Sequence, residues 1–169
     1  MLHRIFALCA LAAVVAVTPS RAAPPPADMS ALVGSWRLVS YVDTPEGEEP
    51  IQAFGEQPMG LFIFTTDGHV SISIMRTPRD GETPKNDVDP DACIPVWYCA
   101  YFGTYRVENG QLITRVLGGN IPSFLGTEQR RPFVIDGDRL IFTADYDADD
   151  GRHVRAERIL VRAGTDVGA

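Results

Sequence analysis

The sequence predicts an all-β protein built as an eight-stranded antiparallel up-and-down barrel. Apolar and polar residues alternate with a period of two, as where Val70, Ile72 and Ile74 enclose Ser71 and Ser73. Turn dipeptides separate the alternating segments, and no segment shows helical periodicity beyond a turn or two. Consecutive hairpins without crossover helices favour an antiparallel meander, which either closes into a barrel or splits into two packed sheets.

Three hairpins and two single strands make up the eight predicted strands. The hairpins cover residues 60–75, 101–117 and 128–146, and they turn at Asp67-Gly68, Asn109-Gly110 and Gly137. The first strand begins near Gly34, and the last covers residues 152–162. Closure would remove the exposed strand edges, and a barrel of eight strands is wide enough to hold one small ligand.

The N-terminus has the pattern of a secretory signal peptide. Arg4 precedes an apolar run at residues 5–17, and Ser20 and Ala22 are small residues at a cleavage position. The alternative is a membrane anchor, but a spanning helix needs about 20 apolar residues. We therefore expect cleavage after Ala22, with Ala23 as the next choice, and a periplasmic or secreted protein with no membrane span. The predicted organisation is a signal peptide at 1–22, a proline-rich spacer at 23–29, a barrel domain at 30–163 and a tail at 164–169.

The charge of the chain argues against nucleic-acid partners. The formal net charge is −7, and removal of residues 1–22 takes away two arginines and no acid, which leaves −9. A chain this acidic has no electrostatic attraction for nucleic acid or for anionic lipid.

Two cysteines remain after signal cleavage, Cys93 and Cys99. An oxidising compartment favours a disulfide between them, which would close a short loop and contribute roughly 2 kcal/mol. The alternative is a pair of buried free thiols. The spacing is not that of a C-x-x-C redox site.

Four segments resemble the bacterial and fungal lipocalin-like domain family across nearly the whole mature chain: "LVGSWRLVSY", "FGEQPMGLFIFTTDGHVSISIMR", "YFGTYRV" and "GTEQRRPFVIDGDRL". The resemblance implies that Trp36 plugs one end of the barrel and that Gly34 lets the crossing chain approach. It also implies that a late arginine stacks over the tryptophan, and Arg158 is the residue expected to do so.

The candidate ligand-binding residues are polar or aromatic side chains that alternation turns inward, together with Phe124 of the loop at residues 118–126. Arg131 shares a strand face with Gln129 and with apolar residues, so it serves either as an anchor for a ligand carboxylate or carbonyl, or in an internal ion pair with Glu157 or an aspartate. The remaining candidates are Tyr101, Tyr105 and Phe124. The tyrosines either present hydroxyls to a ligand or belong to the core, and Phe124 either covers a cavity mouth or fills the core.

No sequence motif identifies a reaction. The chain contains no G-x-S-x-G, H-E-x-x-H or C-x-x-C arrangement, so no catalytic residue, metal ligand or cofactor is predicted. We expect a protein that binds a small apolar or amphipathic molecule in the barrel cavity. The alternatives are a cyclase or isomerase on the same scaffold, and a filled barrel with a structural or interaction role.

Overall fold

The computed structural model describes residues 29–78, 81, 98–148 and 150–164, which form a barrel with little helix. The elements are α1 Met29–Leu32, β1 Gly34–Pro45, β2 Met59–Phe64, β3 His69–Met75, β4 Tyr98–Glu108, β5 Gln111–Gly119, a 3-10 helix Pro122–Phe124, β6 Glu128–Asp136, β7 Arg139–Asp147 and β8 His153–Arg162.

The eight strands close into a barrel in which each strand pairs antiparallel with the next, and β8 pairs back with β1. The predicted hairpins are β2–β3, β4–β5 and β6–β7. At the tip of β4–β5, Asn109 and Gly110 both have positive φ, 51° and 74°, as a two-residue turn of this twist requires. The predicted up-and-down barrel is confirmed, and closure rules out two separate packed sheets.

The helices of the described ranges are short. None of them is long and apolar enough to cross a membrane.

One end of the barrel is filled by Trp36, which is completely buried. Its indole Nε1 donates a hydrogen bond to the Leu32 carbonyl of α1 at 2.7 Å. The guanidinium of Arg162 lies over the indole, with Cζ 4.2 Å from the ring centroid, and it donates to the carbonyls of Val33 and Ala31. The indole of Trp36, the guanidinium of Arg162 and the helical turn α1 therefore form one plug, as the resemblance implied for Trp36.

The arginine of this plug is not the predicted one. Arg158 packs over Tyr41 instead, with Cζ 3.3 Å from that ring centroid. Alternation could not distinguish the two arginines, because residues four apart on a strand share a face. The β1–β8 register decides, since Trp36 stands opposite Arg162 and Tyr41 opposite Arg158.

Gly34 makes room for the plug. Its φ is 122°, and a Cβ added there would lie 3.0 Å from Nη1 of Arg162. The glycine therefore satisfies both an unusual backbone conformation and the approach of the arginine.

A register shift in β1 changes which residues face inward. The shift lies between Leu38 and Ser40, so that Trp36 and Leu38 are followed inside the barrel by Tyr41 and Asp43. Strict alternation from Trp36 would have turned the last two outward. The bulge therefore adds a phenol and a carboxylate to the interior.

Several predictions fall on residues outside the described ranges. The signal peptide at 1–22, Cys93 and most of the tail belong to them, as do 23–28 of the spacer. Cys99 is described and is buried at the start of β4. These predictions therefore stay predictions.

Candidate functional site

The barrel contains an interior cavity of about 140 Å³. Antiparallel order brings the later part of β1 and the beginnings of β4 and β6 to the same end of the barrel, away from α1. Inward-facing residues of these and neighbouring strands line the cavity, together with the 3-10 helix: Tyr41, Phe62, Ile72, Ile74, Cys99, Tyr101, Leu112, Thr114, Phe124, Gln129, Arg131, Phe142 and Arg158.

One wall of the cavity is apolar. Phe62 and Phe142 stack with ring centroids 6.2 Å apart, and Phe133 packs against Phe142 at the same distance. Ile72 and Ile74 continue the wall along β3 and are at most 6% exposed. This wall offers a ligand dispersion contacts and removal of apolar surface from water.

Arg131 lies on β6 at the polar side of the cavity and is half-buried. Its guanidinium donates to Oε1 of Gln129 at 3.3 Å and to the backbone carbonyl of Arg130 at 2.9 Å. No carboxylate of the described residues comes within ion-pair distance of it. In the described part of the chain, Arg131 therefore forms no internal ion pair with Glu157 or with an aspartate.

Arg158, in contrast, has an acidic partner. Its Nη2 lies 2.7 Å from Oδ1 of Asp43, and its Nη1 donates to the Val42 carbonyl at 2.7 Å. The side chains of Arg158 and Asp43 are only 17% and 8% exposed, so both charges depend on each other. The predicted structural role of Arg158 thus concerns Asp43 and Tyr41 rather than Trp36.

The two candidate tyrosines are in different places. Tyr101 lines the cavity, and Phe124 meets its ring edge-on at a centroid distance of 5.7 Å. Tyr105 lies deeper in the core against Phe64, at 5.1 Å, and its hydroxyl donates to the Thr65 carbonyl at 2.9 Å. Tyr105 is therefore a core tyrosine with a satisfied hydroxyl and does not line the cavity.

The phenols of the cavity are hydrogen-bond donors at neutral pH. Burial raises the pKa of Tyr101 above that of a free tyrosine, and the nearby charge of Arg131 offsets part of this rise. Burial also raises the pKa of Tyr41, which Arg158 partly opposes. Both hydroxyls therefore keep their protons at the pH of any ordinary compartment.

Among the described residues, the lining carries two guanidinium groups and no carboxylate or imidazole. Arg158 is neutralised by Asp43, which leaves the charge of Arg131 without a counter-charge among the described residues. This arrangement can hold a hydrogen-bond acceptor or an anion.

A larger groove of about 830 Å³ runs over the outside of β1, β2 and β3. Its outward-facing side chains include Met59, Leu61 and Tyr98, all more than 40% exposed. We place the candidate site in the interior cavity, because that cavity lies inside the barrel and combines apolar walls with a charged group.

Sequence reasoning missed Tyr41, Asp43 and Thr114. Tyr41 and Asp43 face inward only because of the bulge in β1, and no local pattern marks a bulge there. Thr114 is 2% exposed on β5, between the equally buried Ile113 and the exposed Arg115. The partial alternation of β5 was a usable signal for Thr114. In the part of the chain that the structure describes, no group of three His, Cys, Asp or Glu side chains could hold a metal ion.

The sequence of the barrel is similar to one known protein family. A family model described as a lipocalin-like domain matches residues 33–161, which covers all eight strands except Arg162, the last residue of β8. No curated protein matches the chain.

Proposed function

The chain belongs to the lipocalin-like domain family, and on that premise we propose that it binds a small apolar or amphipathic molecule inside the barrel. The observation that carries the proposal is the interior cavity, in which an apolar wall faces half-buried polar groups. A cavity of this kind takes up a molecule with one apolar and one polar end.

The size of the cavity limits the ligand. Its volume is about 140 Å³, whereas pockets for drug-sized ligands hold about 300–1,000 Å³. An apolar cavity of about 150 Å³ is known to accept benzene. The ligand, or the part of it that enters the barrel, is therefore about the size of one aromatic ring with a polar substituent.

Native mass spectrometry tests this proposal on protein purified from cells that express the full chain. We expect a co-purified small molecule, or uptake of one added ring-sized probe per barrel. Ile72→Phe fills the cavity from β3 and should abolish binding. Ser71→Phe is the matched control, because Ser71 is the preceding residue on the exposed face of the same strand.

The absence of both a co-purified molecule and a bound added probe would contradict the proposal and favour a structural or interaction role. Equal binding by the wild type and by a folded Ile72→Phe variant would also contradict it, since the ligand would then sit elsewhere.

We also propose that the protein is exported, from the signal-peptide pattern of residues 1–22. Expression of the full chain followed by fractionation and intact mass measurement tests this. We expect a periplasmic or secreted product that begins at Ala23. Ala13→Arg interrupts the apolar run and should retain the precursor in the cytoplasm. A wild-type chain of full mass in the cytoplasm would contradict export.

A further inference from the structure

The charges around the interior cavity do not balance. Two arginines line it, and the described residues supply one carboxylate within ion-pair distance of them, Asp43, which lies 2.7 Å from Arg158. Within the described part of the chain, Arg131 has only Gln129 and a backbone carbonyl as acceptors. A half-buried guanidinium next to an apolar wall loses solvation, and a neutral amide compensates for this less well than an anion does.

The hydrogen-bond donors and acceptors do not balance either. A guanidinium carries five N–H donors, and Arg131 has two acceptors in the described structure. The hydroxyl of Tyr101, which lines the same cavity, has no hydrogen-bond partner among the described residues. The Oε1 of Gln129, an acceptor of the lining, is already engaged by Arg131. The hydroxyl oxygens of Tyr101 and Thr114 can also accept, but the described lining still carries more hydrogen-bond donors than acceptors.

Resting on the proposed function, we propose that the ligand is a compact monocarboxylate, whose carboxylate pairs with Arg131 and whose apolar body lies against Phe62, Ile72 and Phe142. A planar carboxylate matches the fork of a guanidinium in two parallel hydrogen bonds and supplies the missing acceptors. It carries a single negative charge, which balances the one cavity charge that has no counter-charge among the described residues. A phosphate monoester carries roughly two negative charges, whereas the described interior offers one unpaired positive charge.

The position of Arg131 suits this role. It is half-buried, as are Gln129, Tyr101 and Phe124, while the apolar wall behind them is buried. A carboxylate held there stays near the accessible side of the cavity and retains part of its hydration, while the ring or branched chain enters the dry part. The volume of about 140 Å³ suits a molecule of the size of benzoate.

The test compares an acid with the alcohol of nearly the same shape. Titrations of 4-fluorobenzoate and 4-fluorobenzyl alcohol are followed by ¹⁹F NMR at pH 7 on the wild type and on Arg131→Met. Arg130→Met is the matched control, because Arg130 is exposed on the same strand and pairs with Glu128 at 2.8 Å. We expect the wild type and Arg130→Met to prefer the acid by at least about tenfold, from the usual strength of hydrogen bonds to charged groups.

The same experiment should show no preference in Arg131→Met, with the alcohol bound as in the wild type. In the wild type, affinity for the acid should also fall as the pH drops below roughly 4, where carboxylates become protonated. This measurement needs no variant, so it tests whether the ionised carboxylate is the form that binds even if Arg131→Met fails to fold.

Each other outcome is decisive. Equal affinity of the wild type for acid and alcohol would overturn the carboxylate inference and leave the proposed function standing. A preference that survives in Arg131→Met, or that is lost equally in Arg130→Met, would overturn the role of Arg131. Binding of neither probe would contradict the proposed function itself for ligands of this size.

Discussion

At the scale of single residues, Trp36 connects three elements at the filled end of the barrel. It is completely buried, it donates to Leu32, and Arg162 covers its ring. Trp36 itself lies on β1, and these two contacts reach α1 and β8. The residue therefore holds together parts of the chain that are far apart in sequence.

Trp36→Ala should lower the free energy of unfolding by about 3–5 kcal/mol, the usual cost of truncating a buried aromatic residue. Urea denaturation followed by circular dichroism measures this. Tyr98→Ala removes an aromatic residue that is 45% exposed and should cost less than about 1 kcal/mol. A Trp36→Ala cost as small as that of the control would contradict the role of Trp36 as a plug.

The pair of Asp43 and Arg158 is the other residue-scale feature with a large expected effect. Asp43→Asn leaves the guanidinium of Arg158 buried without a counter-charge and should destabilise by about 3–5 kcal/mol. The double variant Asp43→Asn with Arg158→Met removes both charges and should recover much of that loss, so a double-mutant cycle measures their coupling. Asp136→Asn, at an exposed aspartate, is the control. Additive effects in the cycle would mean that the two charges are independent.

At the scale of elements, the close contact between β4 and β5 depends on Gly103, which has no side chain. The register of the pair shifts between Phe102 and Gly103, and Leu117 is the extra residue on β5. A Cβ added to Gly103 would lie 1.9 Å from the carbonyl oxygen of Arg115. A backbone oxygen in a strand ladder cannot move aside as a flexible side chain can.

Gly103→Ala should therefore destabilise the barrel by about 1–3 kcal/mol or more, the range for overpacked sites. Thermal and urea unfolding measure this against Thr104→Ala, the next residue on β4, which should cost less than about 1 kcal/mol. Hydrogen exchange should show the loss of protection first along β4–β5. An unfolding free energy equal to that of the wild type would mean that the two strands do not approach so closely.

At the scale of the whole molecule, the predicted disulfide links β4 to the segment that precedes it. Cys99 is 2% exposed and lines the cavity, while Cys93 lies outside the described residues. We expect that alkylation of the exported protein in denaturant without reductant leaves its mass unchanged, and that reduction first adds two alkyl groups. Two groups added without reductant would contradict the disulfide.

Much of the fold could be predicted from the sequence, because its determinants are local. Strand number, hairpin order and turn positions follow from alternation and from residues such as Asn109 and Gly110, whose positive φ suits a tight turn. The inward direction of Trp36 follows from alternation on β1 together with the family resemblance. The inward direction of Arg131 follows in the same way from its apolar neighbours on β6, and the net charge is plain from the composition.

Tertiary structure alone decided what depends on register between strands. Arg158 and Arg162 are equivalent in a pattern of period two, and only the pairing of β8 with β1 places Arg162 over Trp36 and Arg158 on Tyr41. The bulge in β1 brought Asp43 inside, where it neutralises Arg158. Arg131 is then the cavity charge without a counter-charge in the described part of the chain. Alternation along a strand is a property of neighbouring residues, whereas register and bulges are set by contacts between residues distant in the chain, and those contacts determined the chemistry of this interior.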